Sequence, residues 1–188
     1  ILSRIPIAET KQFYITASQD YANWKTRRIL GIGIATEHGM EYFYSVHMGW
    51  WKDEDEPFEG QWERIRRELG GGACLETYPG PVPGPVWLMG DFNSPAHVRG
   101  EGRDLIRGFG WLDSYELARS KDSGITVGHA IDGWREQEDV SGMRIDYIWP
   151  SRKVPVRSSR VIFNGSCEPI VSDHYGIIVE YEPGHHCP

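Results

Sequence analysis

The 188 residues suffice for one domain with a core, and 39% hydrophobic with 25% charged residues excludes a disordered chain. Lys and Arg number 20 against 27 Asp and Glu, and the net charge of −7 argues against a protein that grips a polyanion along its length, because phosphate neutralisation dominates such binding. The basic clusters, Arg27-Arg28, Arg66-Arg67 and Arg152-Lys153, are short.

The opening Ile1-Leu-Ser-Arg-Ile-Pro-Ile reads as a strand already under way, and Lys11 to Thr16 as another. Residues 28–36 and 41–48 are apolar-rich runs on either side of Glu37-His38-Gly39-Met40, which predicts a hairpin ending near His47. After an acidic loop, Lys52 to Glu56, the residues Phe58, Trp62, Ile65 and Leu69 recur at helical spacing. That helix is expected to stop at Gly70-Gly71-Gly72. The Pro- and Gly-rich residues 78–85 form a connector, because a buried strand, Val86-Trp-Leu-Met, follows at once. Short helices are expected near Arg103–Arg107 and Ser114–Arg119, and a long polar loop over 121–142. Strands over 144–149, 159–163 and 175–181 close the chain. Strands mixed with a few helices suggest layered α/β or α+β architecture in a single domain, residues 1–188. The spacing of Cys74, Cys167 and Cys187 matches neither a zinc site nor a disulfide framework. With no signal-peptide pattern and no membrane-spanning stretch, a reducing, cytoplasmic setting is expected.

Three short motifs sit at strand ends. Gly90-Asp91-Phe92-Asn93 delivers a carboxylate and an amide at the mouth of a buried strand, where they can hold a phosphate, a water and a hard cation. In Arg144-Ile145-Asp146-Tyr147-Ile148 an Asp interrupts a strand suited to burial, and a buried carboxylate needs a partner such as His. Ser172-Asp173-His174-Tyr175 places a carboxylate beside an imidazole, and His47 supplies a second imidazole. Each alone has an ordinary structural explanation: a strand-to-turn junction, a satisfied carboxylate, a cap, a core histidine. Their conjunction in order is the signal.

The series Ile1-Leu-Ser-Arg-Ile-Pro-Ile, Ser45-Val46-His47, Gly90-Asp-Phe-Asn, Arg144-Ile-Asp-Tyr-Ile and Ser172-Asp-His-Tyr-Gly resembles the endonuclease/exonuclease/phosphatase superfamily across nearly the whole chain. The resemblance implies a four-layer α/β sandwich, two packed mixed sheets flanked by helices. A closer resemblance, to the maltose 6'-phosphate phosphatases of bacterial cytoplasm, rests on Val46-His-Met-Gly-Trp-Trp, Glu56-Pro-Phe-Glu-Gly-Gln-Trp, Asp91-Phe-Asn-Ser-Pro-Ala with Arg99-Gly-Glu-Gly, Lys121-Asp-Ser-Gly-Ile-Thr-Val and Ile131-Asp-Gly-Trp-Arg. Family members carry a metal-binding Asn and Glu ahead of the stretch that begins at Ile1, so the domain is expected to be incomplete at its N-terminus and to lack a principal ligand.

The implied reaction is hydrolysis of a phosphate monoester. His174 is either the base toward water or the group that stabilises the transferring phosphoryl, with Asp146 fixing its tautomer. Asp91 and Asn93 position water and phosphate oxygens, and His47 donates to a phosphate oxygen. Asp173, with Asp91, helps bind Mg²⁺, with Mn²⁺ as a substitute. Trp50-Trp51 offers an indole for stacking on a sugar, although strand-end neighbours point opposite ways and one is expected in the core. Trp62, Trp87 and Trp111 are expected in the core. Asp132, Trp134 and Arg135 offer hydrogen bonds to sugar hydroxyls, and Arg144 pairs either with substrate phosphate or with a carboxylate. The expected partner is a small phosphorylated sugar, without nucleic acid or membrane. A nuclease or lipid phosphodiesterase of the same superfamily is the first alternative, and a non-catalytic scaffold domain the second.

Overall fold

The computed structural model describes residues 1–70, 84–128 and 142–183. Its large sheet has five strands in the order β1-β2-β3-β4-β6, built from β1 (Ile7–Tyr14), β2 (Arg28–Thr36), β3 (Gly39–His47), β4 (Val86–Asp91) and β6 (Asp146–Pro150). The small sheet has three, β5 (Ser120–Lys121), β7 (Val156–Ile162) and β8 (Gly176–Tyr181), in the order β5-β7-β8. Both sheets are mixed, since β3–β4 and β5–β7 run parallel and the other pairs antiparallel. The helices are α1 (Phe58–Glu68), α2 (Gly102–Gly108) and α3 (Ser114–Leu117).

The predicted hairpin forms with Thr36 opposite Gly39, whose φ of 113° supplies the left-handed turn that a side chain resists. The predicted opening strand does not: residues 1–6 are outside β1, and one strand, Ile7–Tyr14, replaces the two expected. Pro6, which has no amide hydrogen for a ladder, stands just before it. The two-residue β5 was not foreseen.

Strand alternation sorts the large sheet into two faces. Tyr44, Val46, Leu88, Tyr147 and Trp149 point to one side and join Phe58, Trp62 and Ile65 of α1 and Ile106 of α2 in the main core. Trp111 packs edge-on to Trp62, with ring centroids 6.0 Å apart. The opposite face presents Phe43, Trp87, Met89 and Ile148 to Val179 and Tyr181 of β8 and to Leu117 of α3. Three of the four expected layers are thus present among the described residues.

One buried acid ties the two sheets together. Glu41, on the inter-sheet face of β3, accepts through Oε2 from Trp87 Nε1 at 3.2 Å and from the Tyr181 hydroxyl at 2.6 Å. Burial and this acid push the Tyr181 phenol above its ordinary range. Phe43 stacks on Trp87 at 6.2 Å, and Trp87 lies against Tyr181 at 4.6 Å.

Candidate active site

The same alternation places the reactive side chains. His47, Asp91 and Asp146 occupy one cross-strand row, His47 opposite Asp91 and Asp91 opposite Asp146. They share the face of Phe43, Trp87, Met89 and Ile148, and so point toward the second sheet. β3 and β4 end at this row and the antiparallel β6 begins there, so the three lie at one end of the sandwich. His174, two residues ahead of β8, reaches in from the second sheet and sets its Nδ1 2.9 Å from Asp146 Oδ2. Sequence-distant groups meet because each strand delivers its last or first inward residue to the same seam.

Local geometry explains the Gly-Asp-Phe-Asn motif. Gly90 has φ of 136°, and a Cβ there would run into the Val46 carbonyl oxygen. Asp91 Oδ1 accepts from the Asn93 amide at 2.7 Å, a turn that closes the strand. Asn93 is buried with φ of 45°, which Asn tolerates better than most residues, and its Nδ2 donates to the Met48 carbonyl at 2.7 Å. The Asn93 amide is thus engaged with the main chain.

Two contributors were missed in the sequence. Thr126 is buried, its hydroxyl accepts from the amides of Ile145 and Asp146 at 3.2 and 3.3 Å, and its carbonyl accepts from the Tyr175 amide at 2.7 Å. One threonine therefore aligns both members of the Asp146–His174 pair. The second is Arg27, whose Nη1 lies 3.4 Å from His47 Nδ1. Arginine only donates, so Nδ1 accepts and the neutral His47 carries its proton on Nε2, 3.5 Å from Asp91 Oδ2. The visible signals were the Arg27-Arg28 pair and an Ile-Thr-Val run inside a polar loop.

The charges follow from these contacts. The hydrogen bond to Asp146 raises His174 to about 9, aided by the fields of Asp146, Asp91 and Asp173 and opposed by burial. Burial raises Asp91 to about 7, helped by the charge of Asp146 and opposed by the Asn93 amide. Burial lowers His47 to about 4, with the positive charges of Arg27 and His174 adding to it. At neutral pH His174 is an imidazolium, His47 is neutral, and Asp91 is poised between its two forms.

A titration checks this. In the presence of EDTA, the His174 imidazole should titrate near 9 by NMR, and Asp146→Asn should return it toward the ordinary histidine range. Because the folded value is raised, the stabilisation from the pair is full below the unfolded value of 6.5 and is lost as pH rises through about 9. An unshifted His174 in both proteins would remove the pair from the account.

The other expected residues fall variously. Arg144 is committed to a carboxylate, with Nη1 2.7 Å from Asp113 Oδ2 and its guanidinium between the rings of Tyr115 and Tyr147 at 4.6 and 4.7 Å. Asp113 is buried, so a nearby cation is what makes its charge tolerable there. Trp50 and Trp51 are both half-buried, not one inside and one outside, and Trp51 packs against the main core with its ring 5.6 Å from that of Phe58. Trp62, Trp87 and Trp111 are buried, as expected. Asp132, Trp134 and Arg135 lie outside the described residues. Asp173 sits on an exposed turn and accepts from the Ser172 hydroxyl at 3.0 Å.

A divalent cation was expected at Asp91 and Asp173. The Asp146 charge acting on Asp91 favours a cation there, and the positive charges of His174 and Arg27 oppose it. Yet no three His, Cys, Asp or Glu side chains converge in a metal-holding group among the described residues. The described residues do not by themselves make a complete metal site.

No protein-family model matches the chain, and no curated protein matches it. Solved structures do. An endonuclease/exonuclease/phosphatase family protein from Leptotrichia buccalis C-1013-b superposes with a TM-score of 0.77 and 35% identity over 96% of this chain, which spans 63% of that protein. A mannosyl-6-phosphatase from Bacteroides thetaiotaomicron VPI-5482 matches at TM-score 0.68 and 18% identity, covering 94% of this chain and 67% of its own. Sphingomyelinase C from Streptomyces griseocarneus matches at TM-score 0.62 and 18% identity, covering 94% and 65%. The last two share the fold alone. By its two-sheet fold and its 35% identity to the Leptotrichia protein, of which it spans less than two thirds, the chain is similar to the endonuclease/exonuclease/phosphatase family.

Proposed function

We propose that this protein is a phosphoesterase that hydrolyses the phosphate monoester of a sugar, maltose 6'-phosphate being the favoured substrate. The observation that carries the reading is the row His47–Asp91–Asp146 with the His174 imidazolium bonded to Asp146 across the seam. A phosphoryl group seated there would meet an N–H from each imidazole, donors aimed where charge develops as the P–O bond breaks. Of the two roles expected for His174, its charge at neutral pH favours stabilising the phosphoryl group over acting as base. Asp91, poised near neutrality, is the group suited to take a proton from the attacking water.

A sugar monoester is favoured over a polyanion by the net charge of −7, and the name of the Bacteroides relative points the same way. A small phosphorylated sugar is accordingly the proposed partner, with neither nucleic acid nor a membrane surface. No helix among the described residues is long and apolar enough to cross a membrane. A requirement for Mg²⁺ is part of the proposal. The test is phosphate release from maltose 6'-phosphate beside nicking of supercoiled plasmid DNA, each with Mg²⁺ and with EDTA. Release that EDTA abolishes is the expected result. Nicking without phosphate release would replace this reading with a nuclease.

A further inference from the structure

We propose that Arg27 is a phosphate-binding residue of this site, gripping the phosphoryl oxygens beside His47. The inference rests on the phosphoesterase reading and adds a residue that no motif marked.

Four observations converge on it. The guanidinium borders the reactive row through its 3.4 Å contact with His47, which in turn lies 3.5 Å from Asp91. Its Nε is buried and has no hydrogen-bond partner among the described residues. No carboxylate among the described residues makes an ion pair with it, whereas three other half-buried cations are paired: Lys25 with Asp53 and Asp55, Arg66 with Glu63, Arg144 with Asp113. The fields of Asp91 and Asp53 reach Arg27 without a direct contact: Asp91 Oδ1 accepts from the Asn93 amide at 2.7 Å, and Asp53 is held by Lys25 at 3.0 Å and by the amides of Asp55 and Glu56, each at 3.0 Å. Last, the main chain of Arg27 is pinned on both sides, since its amide donates to Thr16 Oγ1 at 3.0 Å and its carbonyl accepts from the Ile15 amide at 3.0 Å.

A cation that is partly stripped of water, without a direct ion pair among the described residues and rigidly anchored is costly, and the cost is offset when an anion arrives. The anion consistent with the neighbourhood is a phosphoryl group, because the planar guanidinium matches two oxygens at once. Arginine suits this role better than lysine, which would present a point charge on a mobile stem.

The experiment compares the unmodified protein with Arg27→Met, which keeps the stem, and Arg27→Lys, which keeps the charge. Inorganic phosphate binding is measured by calorimetry and phosphate-ester hydrolysis is split into kcat and KM, with thermal melting as the check on folding. Expected is a loss of phosphate affinity of about tenfold or more in Arg27→Met, with partial recovery in Arg27→Lys, at an unchanged melting temperature. Equal phosphate affinity and equal KM in all three proteins would overturn the assignment of Arg27 and leave the phosphoesterase reading standing. Phosphate binding that depends on Arg27 in a protein that hydrolyses no ester would do the reverse. If Arg27→Met is too unstable to measure, Arg27→Lys decides, since wild-type affinity there excludes recognition by the guanidinium fork.

Discussion

Replacing His174 with Ala is expected to lower phosphate-ester hydrolysis by roughly 10²–10³-fold, the loss typical of one preorganised donor. The Nδ1 position is bonded to Asp146, so Nε2–H is the face left for substrate. Protonation up to about pH 9 keeps that hydrogen in place throughout the neutral range. The substitution should leave the fold intact. Asp146 keeps its main-chain support from Thr126, and His174 itself belongs to a turn, outside β8. The measurement is kcat on a phosphate ester with circular dichroism and thermal melting alongside. Wild-type turnover in a folded His174→Ala protein would remove the imidazolium from the reaction.

The second large effect falls on stability. Gly90→Ala should destabilise the protein by roughly 2–6 kcal/mol, combining an unfavourable backbone with overpacking. At φ of 136° an alanine is strained, and its Cβ would be driven into the Val46 carbonyl oxygen on the neighbouring strand. That strand cannot yield cheaply, because Val46 is buried among the main-core residues beneath α1. Val46 pairs with Gly90 in the parallel ladder one step before His47 and Asp91, so whatever relaxation occurs also separates those two side chains. Thermal unfolding should begin roughly 10 °C lower, and activity should fall further than stability alone explains. An unchanged melting temperature would show that the β3–β4 junction is looser than the packing implies.

Local pattern carried much of the architecture. Phe58, Trp62, Ile65 and Leu69 announced α1 by spacing, and all four are buried. The 28–48 hairpin was legible from its apolar arms and its glycine. The endpoints of β1 were not, because Pro6 interrupts a run that hydropathy alone reads as continuous. At the site, four side chains stood at recognisable strand ends, and the structure brings His47, Asp91, Asp146 and His174 together. Arg27 and Thr126 were opaque for one physical reason: their meaning lies in partners roughly 20 residues away, which no local spacing encodes. Arg144 was equally balanced between phosphate and carboxylate in the sequence. Only folding shows that Asp113, 31 positions earlier, is there to receive it. Strand alternation predicts one of Trp50 and Trp51 inside and one outside, but both are half-buried, with Trp51 against Phe58.

The reacting groups are divided between two sheets, three on one and His174 at the threshold of the other. Their spacing is therefore set by how far one slab of strands can creep over its neighbour. Glu41, clamping Trp87 and Tyr181 deep in the interface, works as a dowel against that creep. Precision at that end of the sandwich is thus secured in part by a carboxylate buried between the sheets, away from the row itself.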